Sequence, residues 1–442
     1  MTQTLSDYPF TIYINNKHLE SCVLENYIYD KHPGQYSYRN MFDLPKSIDI
    51  DQYCNVVYKI PKDGVYFIYF SLTQTMIEEI GLQYMKYTTT SKANTSAKAR
   101  IKLDNELTND VKNKKAWILL DNCREGTLAC NFDTKRMKEF LGEYEGHTIL
   151  ITSDYGVDTA KIIPTYFRNS WERNVCKTLY NPNTKDMVDK HISWKLDQKN
   201  IRQYKCISKN RVLKPHRACI SYLIQNDPQL QKDINYSFSS DVAWNMDRQD
   251  IIRNKIIPTV DKIYNTVISV YPDTSWEDIY DYIYTTKNKL LDGEHIDLNI
   301  NQAFNYSDSL YIVHSQAYFQ LVTETWYWTN SLFQSEKIFQ PIVMLQPFIV
   351  CGSPYLIQVM RDLGYDTFDD IIDHSYDKEL NHSKRMQLLF YELKRLCKIT
   401  HDEWATTMQN IKPRLLYNID HLRNVYNRCN KVKVHYAPRV LP

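Results

Sequence analysis

Glycine is scarce in this sequence, with 10 residues among 442, well below the usual share of about 7%. The glycine-rich phosphate loops GxxxxGK[ST] and GxGxxG do not occur, and neither do GxSxG or HExxH. Each of these motifs supplies a defined piece of chemistry to its class. Their absence argues against classical NTPases, dinucleotide enzymes, α/β-hydrolases and zinc metalloproteases.

Other common signals are also weak or missing. The ten cysteines form no CxxC pair and no cluster with zinc spacing, which is typical of reduced, buried thiols in the cytoplasm. The net charge of +2 is small for a dedicated nucleic-acid binder. No apolar run approaches about 18 residues, and MTQTLSDYPF has no basic region followed by an apolar stretch. We therefore expect neither a membrane helix nor a signal peptide, and a cytoplasmic location.

No cofactor and no metal site are predicted. Asp49 and Asp51 have the DxD spacing of some metal sites, but two acids at that spacing are common by chance and follow no clear strand. Tyrosine, asparagine, isoleucine and lysine are frequent. This bias is typical of an AT-rich, viral genome.

A chain of this length is expected to form two domains, because single cores rarely grow beyond about 250–300 residues. The pattern predicts an α/β protein whose segments differ in character. They are a β-rich region 1–105, a Rossmann-like lobe 106–199, a second lobe 200–400 with a largely helical insertion over 226–310, and a C-terminal helix with a basic tail over 401–442.

The 106–199 segment carries a strand, helix, strand pattern. Lys115–Leu120 and Thr148–Thr152 are apolar runs, and Met137–Leu141 is typical of a helix core. Functional loops of parallel sheets follow the carboxyl ends of strands. The acids expected at this edge are Asp121, Glu125 and Asp154.

The second lobe repeats the alternation. Tyr204–Ile207, Ala317–Thr323 and Phe348–Cys351 are predicted strands, and His216–Gln225 and Glu336–Leu345 are predicted helices. Short connections between them are typical of a second parallel sheet.

Several polar residues of this lobe favour an anion site. Arg217 lies in the first turn of a predicted helix, and Ser335 is a good N-cap for the helix that starts with Glu336 and Lys337. Guanidinium groups and free helix N–H groups both bind phosphate. Glu324 ends a strand at the same edge. An acid beside the anion site can accept hydrogen bonds from ribose hydroxyls, as acids do at other nucleotide sites, and we expect Glu336 to orient the ribose.

The order of these motifs resembles that of α-1,3-fucosyltransferases and related GT-B glycosyltransferases. Their second lobe has a strand, a Ser-Asn turn, a helical Arg, a strand ending in Glu-Asn-Ser and a Thr-Glu-Lys helix start. The matching residues here are Ser208, Asn210, Arg217, Glu324 and Ser335-Glu336-Lys337. Ser335 replaces Thr and Thr325 replaces Asn. The stretches Lys205–Arg217 and Gln334–Asp377 are also similar to bacteriophage proteins labelled glycosyltransferases.

The resemblance implies two Rossmann-like lobes in a GT-B-like fold and a metal-independent glycosyltransferase. The Arg and Lys would hold the pyrophosphate of a nucleotide diphosphate-sugar, and the Glu its ribose. A carboxylate of the first lobe, with Glu125 ahead of Asp121 and Asp154, would deprotonate an acceptor hydroxyl in the cleft, which requires a pKa suited to neutral pH.

Two alternatives follow for the role of the protein. If the source is a phage, one acceptor is a hydroxymethylated base in duplex DNA within the host cytoplasm. The DNA phosphates would then be contacted by basic residues of the tail, Lys431, Lys433 and Arg439, or by the Lys112–Lys115 cluster. The other alternative is a non-catalytic phage structural or host-interaction protein that keeps the glycosyltransferase scaffold.

Overall fold

We describe a computed structural model of the chain. The residues that it describes are 10–13, 54–57, 66–71, 101, 103, 105–122, 134–152, 165–167, 172, 175, 201–210, 212–240, 248–286, 288–291, 313–329 and 331–424. Among these residues, none of the helices has the length and apolar character needed to cross a membrane.

The chain divides into two compact units. Unit 1 consists of Met1–Asn174, Thr329–Gln334 and Asn427–Pro442, and unit 2 consists of Val175–Trp328 and Ser335–Tyr426. Each unit holds a parallel sheet with helices in its connections. The predicted α/β class with two parallel sheets is confirmed.

Unit 1 is built on a six-stranded sheet in the order β2-β1-β3-β4-β5-β6, in which every pairing is parallel. Its strands are β1 (Phe10–Tyr13), β2 (Cys54–Val57), β3 (Tyr66–Ser71), β4 (Ala116–Asn122), β5 (Thr148–Thr152) and β6 (Thr165–Phe167). Its helices are α1 (Asn105–Lys112) and α2 (Thr134–Leu141). The predicted strand, helix, strand pattern of residues 106–199 is therefore present as β4, α2 and β5.

The first 105 residues supply three strands to this same sheet. Strand β3 pairs with β4 from Tyr66 opposite Ala116 to Ser71 opposite Asp121. Both β1 and β3 are rich in aromatic and β-branched residues, which are typical of strands. Their partners depend on contacts across the chain, which periodicity does not encode.

Unit 2 is built on a four-stranded parallel sheet in the order β12-β11-β7-β8. Its strands are β7 (Tyr204–Ser208), β8 (Ile234–Tyr236), β11 (Ala317–Thr323) and β12 (Phe348–Cys351). A separate antiparallel pair is formed by β9 (Phe238–Ser239) and β10 (Asn288–Lys289). All residues of β7, β11 and β12 are buried. Continuous burial is typical of a parallel sheet covered on both faces.

Helices surround this sheet. They are α3 (Pro215–Gln225), α4 (Pro228–Asp233), α5 (Arg248–Ile251), α6 (Ile257–Ile268), α7 (Trp276–Thr285), α8 (Glu336–Val343), α9 (Leu356–Asp362), α10 (His382–Lys398), α11 (His401–Asn410) and α12 (Lys412–Arg423). A π-helical turn, Ile252–Ile256, joins α5 to α6. Local chemistry sets several ends: Pro215 opens α3, Ser335 caps α8, and Gly364 with φ of 92° follows α9.

Two segments of unit 2 differ from the sequence prediction. The region 226–310, predicted as a largely helical insertion, contains β8, which pairs with β7 from Cys206 opposite Ile234 to Ser208 opposite Tyr236. Within 401–442, predicted as a C-terminal helix with a basic tail, a second helix α12 follows α11, and its Leu415, Ile419 and Leu422 are buried. Apolar residues at spacings of four and three lie on one face of a helix, and burial of this face stabilises α12.

The strand order creates a switch point in unit 2. From β7 the chain passes to β8 on one side, and then returns to place β11 and β12 on the other side. The two connections therefore leave the carboxyl ends of β7 and β11 in opposite directions. In open α/β sheets, ligands bind in the crevice beside such a switch point.

Candidate functional site

The residues predicted to bind a nucleotide-sugar all lie in unit 2. They end β7, follow β7 or β11, or lie at the start of the next helix. Strand β7 ends at Ser208 and β11 ends at Thr323, and Leu321 lies opposite Ser208 in the register. The seven predicted residues therefore gather at the switch point. We call Arg217, Glu324, Ser335, Glu336 and Lys337 the switch-point cluster.

Ser208 and Asn210 hold the ends of the two strands together. The Asn210 amide donates to Ser208 Oγ at 3.2 Å, and Thr323 Oγ1 donates to Asn210 Oδ1 at 2.6 Å. The backbone N–H of Asn210 donates to Ser237 Oγ at 2.9 Å. Ser208 and Asn210 are buried. Their side chains shape the loop after β7, so their effect on a ligand is indirect.

Arg217 brings a buried positive charge to this edge. It is 4% exposed, and its guanidinium donates to the carbonyl oxygens of Thr323 and Glu324 at 3.3 and 3.4 Å. Its Nε is buried and lacks a hydrogen-bond partner among the described residues. Burial lowers the pKa of Arg217, and the carboxylates of Glu324 and Glu336 oppose that shift. A guanidinium held by long bonds to neutral carbonyls retains capacity for an anion.

Glu324 lies at the N-terminus of α8. Its Oε1 accepts from the Ser335 N–H at 3.2 Å, and its Oε2 accepts from Ser335 Oγ at 2.6 Å and from the Thr325 N–H at 2.9 Å. The side chain is fully buried. Burial raises the pKa of Glu324, while Lys337 and the Ser335 bond act in the opposite direction. In this arrangement both oxygens are engaged by the protein, and a helix N-terminus stabilises the negative charge.

Glu336 and Lys337 form the accessible part of the cluster. Lys337 Nζ lies 2.5 Å from Glu336 Oε1 and 3.4 Å from Ser335 Oγ. Their side chains are 20% and 32% exposed. Ser335 caps the helix by accepting from the Lys337 N–H at 3.3 Å, as its residue type predicts. An arriving phosphate can take the ammonium from Glu336 without breaking a buried contact.

Sequence reasoning missed His216, which precedes Arg217 in α3. Its Nε2 lies 2.9 Å from the Glu324 carbonyl oxygen, so Nε2 carries the proton, and its buried Nδ1 has no partner among the described residues. The ring stacks on Tyr327 with centroids 5.5 Å apart. Burial and the neighbouring Arg217 and Lys214 place the pKa of His216 well below its usual value. His216 is therefore neutral at pH 7.

Lys214 adds a third cation beside the cluster. Its Nζ donates to the Thr325 carbonyl oxygen at 2.9 Å and lies 5.2 Å from the centroid of the Trp326 ring. The run Lys214-Pro215-His216-Arg217 could have indicated these residues in the sequence. Proline is favoured in the first turn of a helix, so its position predicts that the three neighbouring residues lie at the helix start. The cations Lys214, Arg217 and Lys337 outnumber the carboxylates Glu324 and Glu336, so the site favours an anion.

Gly352 lets the next loop approach Glu324. It follows β12 directly, and a Cβ at this position would lie 2.5 Å from Leu356 Cδ1 and 3.2 Å from Glu324 Cβ. A Cβ here would require the Leu356 side chain to move and Glu324 to shift slightly. The small residue that the sequence places after this strand therefore permits the close packing around Glu324.

The predicted catalytic acids belong to unit 1. Asp121 is the penultimate residue of β4, at the carboxyl end where the sequence placed it. Glu125 and Asp154 lie outside the described residues, as do Asp49 and Asp51. In the described part of the chain, no group of three or more His, Cys, Asp or Glu residues is arranged to hold a metal ion.

Comparisons with known proteins give little further information. No family model matches the chain, and no curated protein matches it. Among solved structures, it is similar to a trehalose-6-phosphate synthase, OtsA, with 10% sequence identity and a TM-score of 0.33, over 98% of this chain and 100% of that chain. A similarity at this level carries no argument about function.

Proposed function

We propose that this protein is a glycosyltransferase and that unit 2 binds a nucleotide diphosphate-sugar at the switch-point cluster. The observation that carries the proposal is the convergence of Arg217, Lys337 and the N-terminus of α8 on one edge of a parallel sheet, at its switch point. Phosphate binds at helix N-termini and beside guanidinium and ammonium groups. Nucleotides bind at switch points of open α/β sheets.

The cluster would act on the leaving group. As the bond between the anomeric carbon and the diphosphate oxygen breaks, the diphosphate keeps the electron pair and gains charge. Arg217 and Lys337 would stabilise that charge, which makes a metal ion unnecessary for this step. Fixed cations in a partly dry site are more effective than the same charges in water.

Glu336 is the better candidate for the ribose in this geometry. When a phosphate takes the Lys337 ammonium, the Glu336 carboxylate is released and can accept from ribose hydroxyls. Glu324 would instead keep its bonds to Ser335 and Thr325 and orient the start of α8. The ligand phosphate would then bind the Lys337 ammonium, while Glu324 would keep the donors of Ser335 and Thr325.

Unit 1 would supply the base that deprotonates the acceptor. A carboxylate there, with Glu125 ahead of Asp121 and Asp154, would take the proton of the acceptor hydroxyl as its oxygen attacks the anomeric carbon. The acceptor is either a glycan or a hydroxymethylated base in phage DNA. A DNA acceptor requires salt-sensitive binding to duplex DNA, since phosphate contacts release counterions.

The test is thermal unfolding of the purified chain with UDP-, GDP-, CMP- and dTDP-sugars and the free nucleotides. A ligand at 100 times its Kd that binds only the folded state adds about 2.7 kcal/mol. We expect a shift with one nucleotide class. Lys337→Ala should weaken that binding at least about tenfold, because a hydrogen bond to a charged group contributes about 1.5–3 kcal/mol.

Lys398→Ala is the matched control, because Lys398 is an exposed lysine in the last turn of α10. It should leave the shift unchanged. If none of the nucleotides stabilises the protein, the proposal fails.

One observation favours a second candidate, a non-catalytic scaffold. Glu324 already occupies the N-terminus of α8, and Lys337 is already paired with Glu336. A protein that had lost its ligand would be stabilised by such internal partners. This candidate requires that no nucleotide-sugar binds, and the same experiment decides between the two.

A further inference from the structure

Helix α7 carries three aromatic side chains at four-residue spacing, Trp276, Tyr280 and Tyr284. Trp276 and Tyr280 have ring centroids 5.3 Å apart with planes 14° apart, and Tyr280 and Tyr284 have centroids 5.7 Å apart with planes 10° apart. Residues four apart are neighbours on one face of a helix. We call these three rings the α7 ladder.

The rings of the ladder are not in full face-to-face contact. Parallel rings in such contact would have centroids about 3.5–4 Å apart, whereas these centroids lie 5.3 and 5.7 Å apart. Tyr284 is exposed, and Trp276 and Tyr280 are half-buried, so part of each ring is accessible to solvent. Eight residues of α-helix span about 12 Å, and this is the length of the ladder along α7.

The ladder lies on the outer side of α7. Ile279 and Ile283 form the buried side of the helix, while Tyr284 is 37% exposed. Trp276 Nε1 donates to Asp261 Oδ1 of α6 at 2.9 Å, which fixes the indole edge. The indole is thus held in place before any ligand arrives, so ordering it on binding would cost little side-chain entropy.

The charge around the ladder is negative. Helix α7 contains Glu277, Asp278 and Asp281, all exposed, and has no lysine or arginine. Asp261 adds a fourth carboxylate beside Trp276. Such a surface repels the phosphates of nucleic acids. Its carboxylate oxygens are hydrogen-bond acceptors, and they suit a ligand that carries many hydroxyl donors.

We infer that the α7 ladder is a docking surface for a neutral glycan chain. Pyranose rings present flat C–H faces that match the open faces of aromatic rings, and their hydroxyl groups can donate to Glu277 and Asp281. Tyrosine and tryptophan combine an apolar body with a polar edge. This inference rests on the proposed function in one respect, because it assigns the docked glycan as the acceptor and disfavours duplex DNA in that role.

Native gel electrophoresis of the full chain through gels containing dextran, mannan or hydroxyethylcellulose tests the inference. We expect at least one of these neutral polysaccharides to retard the protein. The double variant Tyr280→Ala/Tyr284→Ala should raise the dissociation constant about tenfold or more, since it removes two of the three rings. Tyr391→Ala is the matched control, because Tyr391 is an exposed tyrosine of helix α10. Circular dichroism melting curves identify any variant that fails to fold.

Three outcomes would overturn the inference. They are no retardation in any of the three gels, equal retardation of the double variant and the wild type, and retardation that is lost equally in Tyr391→Ala. Polylysine and duplex DNA serve as further probes. Binding of polylysine without binding of any glycan would assign the acidic ladder to a basic peptide, through cation–π contacts.

The two proposals fail separately. Lys337→Ala should bind the polysaccharide as the wild type does, and the double variant should keep its nucleotide-dependent thermal shift. Glycan binding without any nucleotide effect would leave the ladder as a glycan-binding surface and remove the glycosyltransferase activity. A nucleotide-dependent thermal shift without glycan binding would leave the proposed nucleotide-sugar site in place and remove the α7 ladder as a glycan-binding surface.

Discussion

The carboxylate of Glu324 and the hydroxyl of Ser335 lie 2.6 Å apart, and a second bond joins the same carboxylate to the Ser335 N–H at 3.2 Å. Through this pair, the end of β11 is attached to the start of α8. A fully buried negative charge thus lies at the position where an anionic ligand of α8 would be stabilised. Stability and anion binding are therefore expected to oppose each other at Glu324.

Glu324→Gln tests that opposition. The amide keeps one accepting oxygen, but its NH2 group replaces the other, so it cannot accept at both positions as the carboxylate does for the Ser335 N–H and for Ser335 Oγ with the Thr325 N–H. We therefore expect the free energy of unfolding to fall by about 1–3 kcal/mol. Arg217 and Lys337 lose a neighbouring negative charge, so inorganic pyrophosphate should bind more tightly. Urea unfolding and calorimetric titration measure the two effects. Weaker pyrophosphate binding would contradict this account, and Glu403→Gln, at an exposed cap, is the control.

Asp377 should make the protein less stable as the pH rises from about 4 to 6. It is buried and accepts from the N–H groups of Ile357 and Gln358, and burial raises its pKa to about 6. The unfolded carboxyl loses its proton near pH 4, so between these values the folded state binds more protons and its stability falls with pH.

Asp377→Asn removes this titration. Its free energy of unfolding, measured in urea at pH 4, 5 and 6, should lack the corresponding downward contribution, which is about 2 kcal/mol between pH 4 and 6 for a shift of this size. Lowered pKa values at other carboxyls, such as Asp366, act in the opposite direction. The comparison is therefore between variant and wild type at each pH. Equal slopes would show that Asp377 does not titrate in this range.

His216 should make the protein less stable as the pH falls below about 6.5. Its folded pKa lies well below the unfolded value because the ring is buried beside Arg217. The unfolded state therefore takes up the proton first, and stability is lost towards acid pH. His216→Gln keeps a donor for the Glu324 carbonyl but cannot titrate. Its unfolding free energy should decline less between pH 6.5 and 5 than that of the wild type.

The control for His216→Gln is Tyr391→Ala, at an exposed tyrosine of helix α10. It should decline as the wild type does over the same range. Nucleotide binding gives a second measurement. If the neutral ring is required beside the diphosphate, His216→Gln should keep most of the affinity, whereas a protonated histidine would strengthen anion binding at low pH.

Gly352→Ala should destabilise the protein by about 1–3 kcal/mol, which is the usual cost of overpacking. The added methyl group would meet Leu356 Cδ1 at 2.5 Å and Glu324 Cβ at 3.2 Å. Gly146→Ala is the matched control, because a Cβ there meets nothing within 4 Å. Chemical denaturation of both variants measures the difference. If the two substitutions have equal effects, the close approach at Gly352 does not matter for stability.

Local structure in unit 2 could be predicted well from the sequence. The predicted strands Ala317–Thr323 and Phe348–Cys351 have the observed bounds, since a buried parallel strand is a continuous apolar run with polar residues at its ends. Ser335 caps α8 as predicted, because capping depends on the residue type and the next few N–H groups. The strand ends and the helix start together predicted that the residues of the switch-point cluster lie at one edge of the sheet.

Only the tertiary structure decided what these elements contact. Strand β8 is three residues long within a helical region, so periodicity gave no signal for it, and its place beside β7 depends on pairing across 28 residues of chain. The engagement of Glu324 by Ser335, the neutral state of His216 and the open faces of the α7 ladder likewise depend on burial and on neighbours distant in sequence. Residue type and spacing determine local conformation, whereas the order of strands and the partners of buried charges are set by packing of the whole unit.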